Sequence, residues 1–391
     1  MKKKQNTQNT TEKNIWLDVE LREDIDDFLT LIYALEQNTP VNVVSIHNPS
    51  EKELRLLGVT LKRFDSKAVL VVAGEKTDYP PEKDIHTSLY NRIQGVGAPN
   101  TVTLATFLSE SPLPGQRFFC GGSLHTLAHV LANDKSVRWH AYIQGGYAGA
   151  NVVGDHNVLK KFRGREAVPT WNLNLDLTAS IAVLSASNVQ CYFISKNVCH
   201  NAWVDQRDVN DFPSEFNRVL VDYFAKNRWP NKCMHDLVAF MAMYSDDLIE
   251  FAPVTLQHSE DERAKWSSSL CPGSEQSISI ALDTVQFSRL IRLYQPKKSL
   301  PNAARPRLDL CEQIDTVLQQ AELSLEQKVR GIEILLSPYG VKAVTKDQLS
   351  PLDPVALTQL SFPPVGDTPV EQTLPQKVYG SPVKASRNRL R

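Results

Sequence analysis

The chain has 391 residues, which is long enough to bury a sizeable hydrophobic core. Hydrophobic residues make up 42% of it and charged residues 22%, a composition that excludes a mostly disordered, collagenous or coiled-coil protein. Because 43 basic residues balance 44 acidic ones, the net charge is -1, and neither a nucleic acid nor a membrane surface is expected as a partner.

The N-terminal segment, residues 1–13, is basic and polar and lacks the apolar stretch of a secretory signal, so a disordered arm is predicted there. No run of 18 apolar residues occurs, so no transmembrane helix is predicted. The six cysteines are dispersed and form no Cys-x-x-Cys pair, which is typical of reduced thiols. We therefore expect a cytoplasmic protein.

From Ile15 onward, short β-rich runs alternate with helical stretches, a rhythm typical of repeated βα units. The runs are rich in Val, Ile and aromatic residues, as in strands that are covered on both faces. Strands are predicted over residues 15–19, 41–46, 68–73, 117–120, 139–144, 189–195 and 277–282. The predicted fold class for residues 14–294 is α/β, with a mostly parallel, doubly wound sheet flanked by helices.

The segments between these runs have the apolar spacing of helices. Residues 28–36 are apolar nearly all round, as in a buried helix, and residues 51–64 and 178–186 are more amphipathic. Helices are predicted over residues 28–36, 51–64, 178–186, 215–226 and 237–244. The last of them follows Met234-His235-Asp236, so a histidine and an aspartate head an apolar helix.

The strand signal stops near residue 295. Residues 295–337 contain two helical faces, and Ser324 with Gln327 has the spacing of a capping box, so a helical hairpin is predicted. Residues 338–391 contain eight prolines, a density that blocks both helix and sheet. We predict a disordered, basic Pro-rich tail, and docking of a protein partner by this tail is the alternative.

An acidic cluster follows the first predicted strand. Six carboxylates lie within ten residues, at positions 18, 20, 23, 24, 26 and 27. Such a cluster repels itself unless a cation or a proton lies among the side chains, and oxygen ligands of this kind suit Ca²⁺ or Mg²⁺. A helix dipole explains two or three of the acids but not six. In an open α/β sheet, ligands also bind outside the carboxyl ends of the strands.

The His235-Asp236 pair is able to complete such a site. Asp236 would add a third carboxylate to a bound metal, and His235 would act beside it as a proton donor or an orienting group. The alternative interpretation is a capping device at the start of a helix.

Several fragments occur in an order that matches one known family. They are Asp18-Val-Glu20, Asp26-Asp27-Phe28, Asn48, Gly121-Gly122, Gly145-Gly146, Trp171-Asn172, His235-Asp236 and Ile280-Ala-Leu-Asp283. Their order and approximate spacing resemble those of the inosine-uridine-preferring nucleoside hydrolases, over roughly residues 14–294.

This resemblance implies a Ca²⁺-dependent N-glycosidase that cleaves a purine or pyrimidine ribonucleoside into base and ribose. The metal ligands it implies are Glu20, Asp27, Asp236 and the carbonyl oxygen of Cys120. The catalytic residues it implies are Glu20 as the base and His235 near the departing nucleobase. The substrate-binding residues are Asp26 and Asn172 on ribose hydroxyls, Asn48 beside the metal, and Trp171 as a stacking surface.

The opening motif departs from that of the family, which is Asp-x-Asp-Pro-Gly-x-Asp-Asp. Here the Pro-Gly turn is missing and two extra residues separate the first acidic pair from the last. Glu20 is the natural substitute for the usual base, and Asp24 is the competitor. A displacement of the catalytic base by about 1 Å lowers the reaction rate on the order of 100-fold.

A second departure concerns substrate recognition. Thr170 stands where the resemblance implies a glutamate on the ribose 5′-hydroxyl, and four cationic residues lie at positions 160, 161, 163 and 165. A solvated loop is one interpretation of this run, and recognition of a 5′-phosphorylated substrate is the other.

Two other function classes compete with the hydrolase. A non-catalytic protein that keeps the fold is favoured by the altered opening motif. A metal-dependent phosphatase with an Asp nucleophile is favoured by the acidic strand end, although Glu20 stands at the second acidic position. The sequence specifies neither the preferred nucleobase nor whether the chain forms a homo-oligomer.

Overall fold

The computed structural model describes residues 15–297, apart from 22–23, 75–92, 94–96, 111–116 and the single positions 211, 213, 228, 246 and 262. The predicted arm over 1–13 and tail over 338–391 therefore lie outside the described residues. The same holds for the predicted hairpin over 295–337 beyond residue 297.

Twelve strands are present in the described part of the chain. They are Ile15–Val19 (β1), Val41–His47 (β2), Val69–Ala73 (β3), Val102–Thr103 (β4), Arg117–Cys120 (β5), Trp139–Gln144 (β6), Val189–Ile194 (β7), Trp203–Asp205 (β8), Asn231–Cys233 (β9), Ile249–His258 (β10), Trp266–Leu270 (β11) and Gln276–Leu282 (β12). Ten of them form one sheet in the order β11-β10-β12-β7-β6-β5-β1-β2-β3-β4, and β8 pairs with β9. All seven predicted strands occur, with ends that agree within one residue.

Eight strands of the large sheet, from β12 to β4, run parallel, and β10 and β11 add an antiparallel edge. This arrangement confirms the predicted fold class. The antiparallel edge is not anticipated from the sequence, because Pro253 interrupts the pattern of β10 and β11 is rich in serine, a residue typical of loops.

The helices cover both faces of the sheet. The described α-helices are Asp26–Glu36, Glu51–Arg63, Leu104–Glu110, His125–Asn133, Ala150–Val153, Trp171–Leu175, Leu177–Ser185, Lys196–Cys199, Glu215–Lys226, His235–Met241 and Thr284–Arg292. Successive strand residues point to opposite faces, so Leu17 and Phe119 belong to one hydrophobic core, and Trp16 and Phe118 belong to the other. The five predicted helices are present, with ends that differ by at most three residues.

The order of the strands places a switch point at β1. From β1 the chain builds outward through β2, β3 and β4, and it then returns to place β5 on the other side of β1. The loops after β1 and β5 therefore diverge, and they open a crevice at the carboxyl ends of these two strands. The acidic cluster predicted from the sequence lies at this crevice.

The described helices include none that is long and apolar enough to cross a bilayer.

Candidate functional site

A cavity of about 280 Å³ opens at the carboxyl ends of β1, β5 and β6. Most of its lining residues are polar, and they include acidic, basic and aromatic side chains. The lining residues are Glu20, Asp24, Asp26, Asp27, Gly121, Gln144, Gly145, Thr170, Trp171, Asn172, Lys196, His200, His235 and Asp236. The cavity therefore unites most of the site residues predicted from the sequence.

Three carboxylates converge at the floor of this cavity. Asp26 and Asp27 begin the helix that follows β1, and Asp236 lies in the first turn of helix His235–Met241. Each side chain offers an oxygen atom, and these atoms lie within 4.8 Å of one another. All three residues are buried, so water screens their mutual repulsion poorly.

Asp26 joins the two helices that carry the carboxylates. Its Oδ2 accepts hydrogen bonds from the backbone N–H groups of His235, at 2.9 Å, and Asp236, at 3.3 Å. These N–H groups belong to the first turn of a helix, where no intrahelical acceptor exists. The helix starts two residues earlier than predicted because this distant side chain caps it.

Gly121 makes room for Asp27. An added Cβ atom at position 121 would lie 2.2 Å from Oδ1 of Asp27, a distance that no real Cβ contact has. The same Oδ1 accepts a hydrogen bond from the backbone N–H of Glu20 at 3.2 Å. The missing side chain at position 121 thus allows the Asp27 carboxylate to lie between the ends of β1 and β5.

The carboxylates resist ionisation together. Burial raises the pKa of Asp27 well above its usual range, and Asp26 and Glu20 raise it further. Burial likewise raises the pKa of Asp236, with Asp26 and Asp27 adding to the effect. Oδ1 of Asp236 is buried and has no hydrogen-bond partner within the described residues. A buried cation would satisfy this atom and offset the repulsion, so the donor set fits a hard divalent metal such as Ca²⁺.

Lys232 gives the cluster a partial counter-charge. Its ammonium group lies 2.8 Å from Oδ1 of Asp24 and 3.8 Å from Oδ2 of Asp26, and the residue is buried in β9. Burial opposes the charge of Lys232, but Asp26 and Asp24 outweigh it and raise its pKa. Asp24 is therefore already engaged in an ion pair. The sequence gives no sign of Lys232, because β9 is only three residues long.

Glu20 lies between the main cavity and a second cavity of about 140 Å³. Its carboxylate is close to Gly122, where an added Cβ atom would lie 3.5 Å from Oε2. Asn48, predicted beside the metal, lines the second cavity with His47 and Leu175 and is not among the residues that line the main one. Glu20 is thus the residue that these two cavities share.

The helix start at Trp171 forms another side of the cavity. The amide nitrogen of Asn172 donates to the carbonyl oxygen of Gly121 at 2.6 Å and to Oε1 of Gln144 at 2.8 Å. These bonds fix the amide, so its oxygen is the atom available to a ligand. Trp171 lines the cavity and is 49% exposed, as a stacking surface for a ligand requires.

His235 lies beside His200, with the two rings 4.6 Å apart and nearly perpendicular. Burial lowers the pKa of His235 to about 4, and Lys232 contributes to the shift. This pKa implies a neutral imidazole at neutral pH, a form that is able to donate a hydrogen bond but is not an imidazolium acid. His200, His235 and the thiol of Cys199 form a second group of close metal-binding atoms.

Cys120 is fully buried at the end of β5. Its thiol lies 3.4 Å from the carbonyl oxygen of Gly122 and 4.0 Å from Oδ2 of Asp18. Burial and the charge of Asp18 raise the pKa of this thiol well above its usual range, so it stays protonated. The next residue, Gly121, lines the cavity, and the use of the Cys120 carbonyl by a metal remains a prediction.

Lys196, His200 and Gln144 line the cavity although the sequence analysis does not single them out. Lys196 follows β7 by two residues, and Gln144 is the last residue of β6. In a parallel sheet, both positions are at the ligand-binding edge. These positions can be found from the sequence by inspecting the last residue of each predicted strand and the residues just after it.

No protein-family model matches the sequence, and no curated protein matches it either. Solved structures do match. A plant nucleoside hydrolase, the PpNRh1 enzyme, has 14% identity and a TM-score of 0.54, and the match covers 72% of this chain and 98% of that chain. A purine-preferring ribonucleoside hydrolase from Gardnerella vaginalis has 13% identity and a TM-score of 0.52, with 72% and 97% covered. At these identities the similarity shows a shared fold.

Proposed function

We propose that this chain hydrolyses the N-glycosidic bond of a ribonucleoside, releasing the free base and ribose, with the help of a bound Ca²⁺ ion. The observation that carries the proposal is the convergence of Asp26, Asp27 and Asp236 in a cavity at the switch point of the sheet. The nucleoside hydrolases of similar fold support the same reaction class.

Asp27 and Asp236 are the residues that we expect to hold the ion, together with Glu20 and the carbonyl oxygen of Cys120. Asp26 is close enough to Asp27 and Asp236 to contribute as well, although its Oδ2 already accepts two backbone hydrogen bonds. When bound, Ca²⁺ supplies a positive charge that lowers the pKa of a nearby water molecule.

Glu20 is the proposed base that takes the proton from the attacking water. Its backbone N–H donates a hydrogen bond to Oδ1 of Asp27, and this bond fixes the backbone of Glu20 beside the carboxylate cluster. Asp24 is a weaker choice, because its carboxylate is already paired with the ammonium group of Lys232.

The remaining residues would orient the substrate. Asn172 presents an amide whose nitrogen is fixed by Gly121 and Gln144, which leaves its oxygen for a ribose hydroxyl. Trp171 offers an exposed ring for a base or a ribose. The neutral imidazole of His235 would donate a hydrogen bond to the departing base, which develops negative charge as the bond breaks.

The test is a measurement of free base released from a panel of purine and pyrimidine ribonucleosides by the full-length protein. We expect release in Ca²⁺ and none in a chelator. Asp27→Asn and Asp236→Asn should each lower kcat/KM by at least about 100-fold, because each removes a charged ligand.

Asp247→Asn is the matched control, since Asp247 is exposed and is not among the residues that line the cavity. Activity of this variant should equal that of the unchanged protein. Absence of base release by folded, Ca²⁺-loaded protein, for every nucleoside, would contradict the proposal and favour a non-catalytic protein of the same fold.

A further inference from the structure

The cavity has two ends of opposite charge. The acidic end contains Asp26 and Asp27, which begin the helix after β1, and Asp236, in the first turn of helix His235–Met241. At the other end Lys196 lines the cavity, just after β7. Strands β5 and β6 lie between β1 and β7, so the acidic residues and Lys196 reach the cavity from different strands of the sheet.

Lys196 is part of a group of cations. Burial lowers the pKa of Lys196, and the positive charges of Lys161, Arg263 and Arg165 lower it further. The ammonium group of Lys161 lies 5.1 Å from the centre of the Phe162 ring, and that ring lies 5.6 Å from the ring of His200, which lines the cavity. Cations that repel one another in this way form a binding site for an anion.

Carboxylates do not neutralise this group. Among the ion pairs of the described residues, none involves Lys161, Arg165, Lys196 or Arg263. Elsewhere in the described chain, basic side chains do find acidic partners, as Arg292 does with Asp208 and Lys232 with Asp24. A half-buried lysine without such a partner lacks a counter-ion, which a ligand would provide.

Thr170 lines the same cavity as Lys196 and is a second group that a ligand would satisfy. It is 1% exposed, and its hydroxyl has no hydrogen-bond partner within the described residues. A carboxylate at this position would add a negative charge to the cavity wall. The threonine adds no negative charge to a wall that also contains Lys196 and His200.

We infer that the substrate is a nucleoside 5′-monophosphate, whose phosphate is bound by Lys196 and the nearby cation Lys161. The inference deepens the proposed function and rests on it, because it takes the ribose hydroxyls to lie at Asp26 and Asn172. With these hydroxyls at Asp26 and Asn172, the 5′ carbon is the ribose position left to carry a group toward Lys196. Charge-assisted hydrogen bonds from lysine to phosphate would supply the recognition.

The first test compares the release of hypoxanthine from inosine, inosine 5′-monophosphate and inosine 3′-monophosphate by the full-length protein in Ca²⁺. We expect kcat/KM for the 5′-monophosphate to exceed that for inosine by roughly 10- to 100-fold, the range for charged hydrogen bonds. Equal or better use of inosine overturns the inference and leaves the proposed function intact. Equal use of the 3′-monophosphate overturns the assignment to the 5′ position.

The second test uses charge-removing variants. Lys196→Met and Lys161→Met should each reduce the preference for the 5′-monophosphate over inosine by about 10-fold. Lys161 is exposed, so its variant keeps the core unchanged and remains informative if Lys196→Met fails to fold. Lys160→Met is the matched control, an exposed lysine next to Lys161 in the chain that is not among the cations acting on the pKa of Lys196, and it should keep the preference. If Lys196→Met and Lys161→Met both prefer the 5′-monophosphate over inosine to the same extent as the unchanged protein, the inference is overturned.

The third test is independent of bond cleavage. Calorimetric titration with ribose 5-phosphate and with ribose, in Ca²⁺, measures recognition of the phosphate alone. Binding of ribose 5-phosphate that is at least about 10-fold tighter than that of ribose, and that weakens in Lys161→Met, supports the inference. Equal affinities overturn it. If no nucleoside or nucleotide is cleaved, the proposed function fails, whereas this titration still decides whether the cavity binds phosphate.

Discussion

At the scale of single residues, Asp18 shows how burial at a strand end changes an acid. It lies in β1, is 2% exposed and accepts a hydrogen bond from Oγ of Ser45. Burial raises its pKa from 3.8 to about 7, although the hydrogen bonds from Ser45 and Thr126 oppose the shift. The folded protein therefore holds a proton on Asp18 at pH values where the unfolded chain has lost it.

The consequence is a pH-dependent stability with a defined sign. The folded pKa exceeds the unfolded one, so the contribution of Asp18 to stability is present below about pH 4 and is lost as the pH rises to about 7. The loss is of order 4 kcal/mol, at about 1.4 kcal/mol per pKa unit. The Asp18→Asn variant has no titrating group at this position. Relative to the unchanged protein, its free energy of unfolding in urea should therefore rise as the pH increases from about 4 to about 7. Parallel pH profiles of the two proteins would contradict this expectation.

Gly121 is a second residue whose effect can be measured in isolation. Gly121→Ala places a Cβ atom against Oδ1 of Asp27, and that carboxylate must rotate out of the cluster. We expect the variant to fold but to bind Ca²⁺ at least about 10-fold more weakly, as when ligand geometry is disturbed. Gly97→Ala is the control, because an added Cβ at position 97 has no atom within 4 Å. Unchanged Ca²⁺ affinity in Gly121→Ala would show that Asp27 does not hold the ion.

At the scale of elements, the short strand β9 stabilises the acidic loop after β1. Its Lys232 is buried and pairs with Asp24, whose side chain is 42% exposed. Removal of a buried charge partner typically costs about 3–5 kcal/mol, and exposure of Asp24 brings the expected cost of Lys232→Met nearer to 2 kcal/mol. The reason is that Asp24 and Asp26 then lack their counter-charge.

A double-mutant cycle with Asp24→Asn isolates this interaction. The two substitutions should be non-additive by about 1 kcal/mol in the free energy of unfolding, because Asp24→Asn removes part of the charge that Lys232 neutralises. Arg55→Met with Glu51→Gln is a comparison pair on an exposed helix surface, where the coupling should be a few tenths of a kcal/mol. Additive effects at Asp24 and Lys232 would mean that the ion pair contributes nothing to stability.

The elements that the sequence predicts well are those with strong hydrophobic patterns. Seven of the eight parallel strands are runs rich in apolar residues, and their predicted ends agree within one residue with those observed. The strands that escape prediction are β4, β8 and β9, which have two or three residues each, and the antiparallel edge of β10 and β11. Strands so short have no detectable period, and the Ser-rich β11 forms a strand because β10 supplies its hydrogen-bond partners.

At the scale of the whole molecule, the site arises from the topology more than from any local motif. Asp18 to Asp27 and His235-Asp236 are recognisable in the sequence because acidic residues border apolar helices. Their meeting in one cavity depends on the packing of helix His235–Met241 beside helix Asp26–Glu36, where the Asp26 side chain caps it. The separation of Asn48 into a second cavity, and the presence of Lys196 and Lys232, depend on packing that no local pattern encodes.

The distribution of charge in the molecule also bears on its proposed metal binding. A net charge of -1 conceals a buried acidic end and a basic end within one cavity. The acidic end requires a cation or protons, since burial and mutual repulsion raise the pKa of both Asp27 and Asp236. Metal binding should therefore displace protons from these carboxylates, and it should stabilise the folded protein by about 2.7 kcal/mol at 100 times the dissociation constant.

The most direct test of this account is a calorimetric titration of the metal-free protein with Ca²⁺ in buffers of different ionisation enthalpy. We expect one ion to bind per chain with release of protons, and we expect Asp27→Asn and Asp236→Asn to abolish the binding while Asp247→Asn retains it. Absence of binding, or binding that persists unchanged in Asp27→Asn and Asp236→Asn, would contradict the claim that the carboxylates at the switch point form a metal site.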